Sequence, residues 1–124
     1  MSITDGQEAL IRHLLTMQGA PNIALPNDGG AELPRYVVQA SGGAQRTILV
    51  DGTTDAFPEI VVLVETAKGR GAGQNNDFVK LLVGHFAPNT KFEGIQIIEA
   101  PFARPPLTGE VYSVPVVIRG RTFF

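Results

Sequence analysis

The stretch Gly69-Arg70-Gly71-Ala72-Gly73 is the first place in this chain where residue type and position suggest chemistry. It lies between an apolar run and an amphipathic stretch, where backbone N–H groups and a helix dipole favour an anion. The side chains a phosphate loop needs are missing: no Lys-Ser or Lys-Thr follows, and the glycine spacing does not fit a dinucleotide fingerprint. The run therefore reads as a tight structural turn that binds no nucleotide. Arg70 is its one side chain able to make a bidentate pair with a carboxylate. That places Arg70 and Gly71 at or beside a subunit contact, with a solvated arginine on a turn as the plainer reading. His13 and His85 fall on separate helical stretches, with no second histidine four residues away and no carboxylate pair in metal spacing. They read as solvated surface histidines. The three serines, Ser2, Ser41 and Ser113, sit in no nucleophile-elbow pattern. Glu65 and Glu99 could pair as acid and base only if their strands aligned them. No catalytic, metal or cofactor-binding set emerges, and the chain does not read as an enzyme.

Composition narrows the classes further. At 124 residues the chain reads as one domain, residues 1–124, able to remove roughly two thirds of its unfolded surface from water. Cysteine is absent, so neither a disulfide scaffold nor thiol chemistry is open to it. A formal net charge of −2 gives no broad basic field for holding a phosphate backbone. No apolar run is long enough to span a bilayer and no leader pattern opens the sequence, so action in the cytoplasm is expected. The 14 glycines and nine prolines concentrate between elements and predict long loops.

The elements that must position these residues follow from periodicity. Thr4 with Gln7, or Asp5 with Glu8, has capping-box spacing, and Leu10, Leu14 and Met17 repeat at helical intervals, predicting a helix over residues 5–18 that Gly19 ends. Residues 21–33 carry no period and read as a long surface loop, either a contact arm or a variable excursion. A strand over 35–40, a break at Ser41-Gly42-Gly43 and a strand over 46–50 predict a hairpin. Ile60-Val61-Val62-Leu63-Val64 is apolar throughout and reads as a central strand covered on both faces. From Gln74, the apolar positions Phe78, Leu81, Leu82 and Phe86 form a helical stripe that Pro88 stops, with Asn89 suited to a left-handed cap. Residues 92–100 read as a returning strand, and residues 102–109 as a stiff connector that joins no ladder.

In the last strand Tyr112, Val114, Val116 and Ile118 share an apolar face, and Pro115, which lacks an N–H, predicts a sheet edge or bulge. Phe123 and Phe124 end the chain and must fold back or seek another chain. Two helices can cover one face of the resulting sheet of about five strands, which leaves the other face of the central strand asking for a second chain. Pro115, Phe123 and Phe124 are accordingly placed at or beside that contact.

Several of these features together resemble the tail terminator family of long-tailed bacteriophages and phage-like gene transfer agents. They are the N-terminal helix of about four turns, Leu33-Pro34-Arg35-Tyr36 opening the first strand, the strand ending at Glu65 before a glycine-rich turn, and Leu81-Leu82-Val83-Gly84-His85-Phe86 closing the second helix. Phe92-Glu93-Gly94 and the run from Tyr112 to Arg119 complete the pattern. The resemblance implies a small α+β protomer with a mixed or antiparallel sheet, helices on one face, and a hexameric ring as the working form. It implies that the ring caps the tail tube at its head-proximal end, halts tube polymerisation, and docks a head-tail connector or stopper protein. DNA would pass through the lumen without specific binding. A tail tube or neck protein is the next reading, and a small cytoplasmic ligand-binding or enzymatic α+β domain the one after.

Overall fold

The apolar run at residues 60–64 is the middle of a longer strand whose residues alternate between two environments. The structure, a computed structural model, describes residues 3–26, 32–47, 54–69 and 73–123. Helix α1 (Ile3–Leu15) is followed by strands β1 (Asn22–Ala24), β2 (Arg35–Thr47) and β3 (Thr54–Ala67), then helix α2 (Gly73–His85). The short strands β4 (Lys91–Phe92), β5 (Ile95–Ile97), β6 (Phe102–Ala103) and β7 (Leu107–Thr108) precede the long β8 (Val111–Phe123). The strands form a mixed eight-stranded sheet in the order β1-β2-β3-β8-β5-β4, with β6 and β7 also paired to β8. Only the β1–β2 pairing is parallel among the described strands.

The α+β class with two helices on one face agrees with the expectation, whereas the count of about five strands does not. Strands of two or three residues are too short to show a period of two, so β1, β4, β6 and β7 leave no periodic trace. Residues 21–33, expected as a long surface loop, contain β1. The expected returning strand over 92–100 is instead a hairpin: Glu93 and Gly94 both have positive φ, 47° and 79°, and turn β4 back into β5. The expected connector over 102–109 instead lends two short ladders to β8. Its prolines do not prevent this, because the paired residues Phe102, Ala103, Leu107 and Thr108 all keep their N–H groups.

The break expected at Ser41-Gly42-Gly43 is absorbed as a register shift between Ala40 and Gly42 within one continuous β2. The hairpin partner of β2 is therefore β3, not a strand over 46–50. Pro115 also departs from expectation, since β8 is an interior strand flanked by β3 on one side and by β7, β6 and β5 in turn on the other. Its carbonyl accepts a hydrogen bond from the Arg104 N–H at 2.8 Å, so its missing donor points to the same side, into the gap between β6 and β7. Proline is tolerated there because no ladder partner is left waiting.

Cross-strand register fixes the core. Tyr36 opposes Val64, which opposes Val114; Val38, Val62 and Val116 form the next row, and Ile60 opposes Ile118. All of these are buried, and Leu10 and Leu14 of α1 and Leu82 and Phe86 of α2 pack with them. Asn75 in the first turn of α2 donates to the Val64 carbonyl at 2.7 Å, and the Tyr36 hydroxyl donates to the Phe78 carbonyl at 2.6 Å, so α2 is pinned to two strands. Burial pushes the Tyr36 phenol pKa well upward, which keeps that donor protonated.

Gly120 sits on the helix-facing side of β8, where a Cβ would lie 2.5 Å from Ile95 Cγ2 and 3.6 Å from Leu10 Cδ2. Ile95 is buried, and the atom met is the methyl on its Cβ, which cannot swing aside without moving the strand or changing rotamer. Gly120→Ala is therefore expected to destabilise the fold by about 1–3 kcal/mol, read as a lowered urea midpoint with unchanged slope.

Candidate interaction surface

The odd-numbered residues of β3 and β8 point away from the helices, and register again places them in rows. Val37, Leu63 and Pro115 form one row, and Gln39, Val61 and Val117 the next, with Phe102 of β6 opposite Val117 and Leu107 of β7 opposite Ser113. The result is a largely apolar band across β2, β3, β8 and the short strands beside it, with the exposed Gln39 at its β2 side. Val37, Val61 and Leu63 are half-buried, while Phe102 and Leu107 are 43% and 58% exposed. Neither helix lies on this face. Ser113 is buried in the band, and among the described residues its hydroxyl has no hydrogen-bond partner.

Ion pairs close both ends of the band. Arg35 pairs with Glu65 at one end. At the other, Arg119 Nη2 lies 2.7 Å from Glu59 Oε1 and Arg119 Nη1 lies 3.4 Å from Glu99 Oε1. Arg121 grips the fully buried Asp55 through two bonds of 2.9 and 3.0 Å, with its guanidinium 4.9 Å from the Phe123 ring centre and 5.8 Å from that of Phe57. The hydrogen bond to Asp55 raises the Arg121 pKa, so this cation is fixed at every working pH. Glu65 and Glu99 are thus salt-bridge partners of different arginines rather than an acid/base pair.

The helix layer carries the second surface feature. A shallow groove of about 860 Å³ runs between the end of α1 and the outer side of α2, lined by Met17 and Leu81 and rimmed by Asp77 and Lys80. Leu81, expected in the core stripe, is 44% exposed here, because Phe78 and Leu82 already fill the sheet-facing side of α2.

His13 and His85 do not stand apart on the surface. Each Nε2–H donates to the other residue's backbone carbonyl, His13 to His85 at 3.1 Å and His85 to His13 at 2.6 Å, so the rings cap the last turns of α1 and α2 reciprocally. The rings stack at 4.2 Å, Phe92 stacks on the far side of His13 at 4.1 Å, and Phe86 meets both histidines edge-on. Sequence spacing could not show this, since the contact joins residues 72 positions apart. Burial lowers the His13 pKa, with the neighbouring His85 adding to the effect and the hydrogen bond to His85 and the charge of Glu93 opposing it. A folded-state pKa below the ordinary 6.5 means the unfolded chain binds the proton first. The stability that neutral His13 contributes is full above that value and is lost as pH falls through the folded pKa. A melting temperature that drops as pH is lowered from about 7.5 to about 5.5, with a shallower drop in His13→Phe, is the expected result. Equal slopes for the two proteins would reject it.

Of the residues expected at a subunit contact, Arg70, Gly71 and Phe124 lie outside the described residues. Phe123 is half-exposed at the end of β8, beside Arg121, and Pro115 is buried within the band. Among the described residues no group of three His, Cys, Asp or Glu side chains is close enough to hold a metal ion, and no helix is long and apolar enough to cross a membrane. No protein-family profile and no curated protein matches this chain at a significant level.

Proposed function

We propose that this chain is a structural subunit of a phage-like tail, a tail terminator that closes into a hexameric ring on the head-proximal end of the tail tube. In that position it stops tube polymerisation and presents its outer surface to a head-tail connector or stopper protein. The observation that carries the reading is the band of Val37, Val61, Leu63, Phe102 and Leu107, apolar across four strands on the face opposite both helices. A surface of that kind marks a protein contact. Identical subunits that meet head to tail with a fixed rotation close into a ring, each contact of standard size burying on the order of 1,200–2,000 Å². Arg35, Arg119 and Arg121 are each held by a carboxylate, which suits a channel that lets DNA slide without gripping its phosphates. The ring number and the tail partners rest on the sequence resemblance. Phe123, with Arg70, Gly71, Pro115 and Phe124, stays assigned to the neighbourhood of the contact between subunits.

Adding the purified protein to polymerising tail-tube subunits tests the activity. Capped tubes that stop growing, with the protein at one end only, are expected. Tubes of unchanged length with the protein absent, or incorporated along the wall as a tube subunit would be, contradict the reading.

A further inference from the structure

Two exposed apolar features of this chain lie on opposite sides of its sheet, and their charges are complementary. On the side away from the helices, Phe102 and Leu107 project from a segment that Pro105 and Pro106 stiffen. Arg104 and Glu110 are exposed on the same segment. On the helix side, the groove beside α2 presents Met17 and Leu81 between Asp77 and Lys80. Among the described residues none of these four charged groups has an ion-pair partner. One surface is a pair of apolar knobs with one cation and one anion; the other is an apolar groove with one anion and one cation.

We infer that the segment carrying Phe102 and Leu107 docks into the groove between α1 and α2 of a second copy of this chain, Arg104 pairing with Asp77 and Glu110 with Lys80. The inference rests on the ring reading and gives it a contact. Because knob and groove occupy opposite sides of one sheet, a two-fold pair cannot satisfy both at once. Each copy uses its knobs on one neighbour and its groove on the other, the head-to-tail arrangement that closes a ring or extends a filament. The proline-stiffened segment loses little conformational freedom on docking, which favours the contact.

The absence of cysteine makes the test clean, since engineered thiols are the only ones present. One batch carries Leu107→Cys and another Leu81→Cys, both at exposed positions, and the two are mixed at high concentration with a mild oxidant. A disulfide between the two variants, about tenfold or more above either like-with-like product by intact mass, is expected, because bridging requires Cα atoms within about 7 Å. Asp77→Arg and Arg104→Asp should each weaken that cross-link about tenfold, and the two together should restore it. Predominantly like-with-like products overturn the inference in favour of a two-fold contact. A ring-sized assembly without the mixed cross-link overturns the docking and leaves the ring standing. A protein that stays monomeric with no cross-link overturns the docking as well, while the ring itself is decided on assembled tails.

Discussion

Phe86→Ala is expected to cost about 3–5 kcal/mol of folding stability, the range for emptying a buried phenylalanine site. Phe86 is fully buried, its N–H bonds to the Leu82 carbonyl at 3.3 Å, and its ring touches His13, His85 and Phe92 edge-on. The residue therefore joins the end of α2 to the end of α1 and to the β4–β5 hairpin. Neither histidine can collapse into the vacated space without giving up its bond to the opposite helix end. A urea titration reads the effect directly, and a midpoint equal to that of the parent would contradict the packing.

The second large effect separates fold from assembly at two adjacent residues. Val62 faces the helices and is fully buried between Val38 and Val116, whereas Leu63 faces away, half-buried between Val37 and Pro115. Val62→Lys places an ammonium among apolar side chains with no carboxylate in its row, a penalty of several kcal/mol that is comparable with the whole stability of a small domain. The chain is expected not to fold. Leu63→Lys can lift its charge into water along the open face at a cost of about 1 kcal/mol, so it should fold and melt within a few degrees of the parent. It should nonetheless fail to assemble, because the charge then lies in the centre of the apolar band. Circular dichroism and sedimentation on the two proteins distinguish these outcomes. A Leu63→Lys protein that still forms rings would show that the band is not buried between subunits.

The parts of the fold legible in the sequence are those with a sustained period. Leu10 and Leu14 marked the buried side of α1, Phe78, Leu82 and Phe86 that of α2, and Tyr112 to Ile118 the core side of β8. Gly19 and Asn89 both adopt positive φ, at 76° and 73°, but each lies four residues past its helix, which ends at Leu15 or His85, so they shape the following turns and do not cap the helices; α1 accordingly stops three residues short of the expected Gln18. The uniform apolarity of residues 60–64 predicted a strand covered on both faces, whereas among the described residues only the face of Ile60, Val62 and Val64 is buried and that of Val61 and Leu63 is half-buried. What escaped was non-local. The short strands β6 and β7 exist because β8 offers them a ladder, and nothing in Phe102-Ala103 or Leu107-Thr108 announces it. Pro115 pointed to a missing donor, but whether that donor faces water or an internal gap depends on Arg104, in a separate segment of the chain. The stacking of His13 on His85 and the burial of Asp55 under Arg121 likewise depend on register between distant segments.

The central claim is that this protein forms a rotationally symmetric ring on one end of a tail tube. A reconstruction of assembled tails measures that directly. Density for this chain is expected at the head-proximal end, six copies around the axis, with the band of Val61 and Leu63 buried between neighbouring subunits. Tails that lack the chain at that end, or carry it there without rotational symmetry, would contradict it.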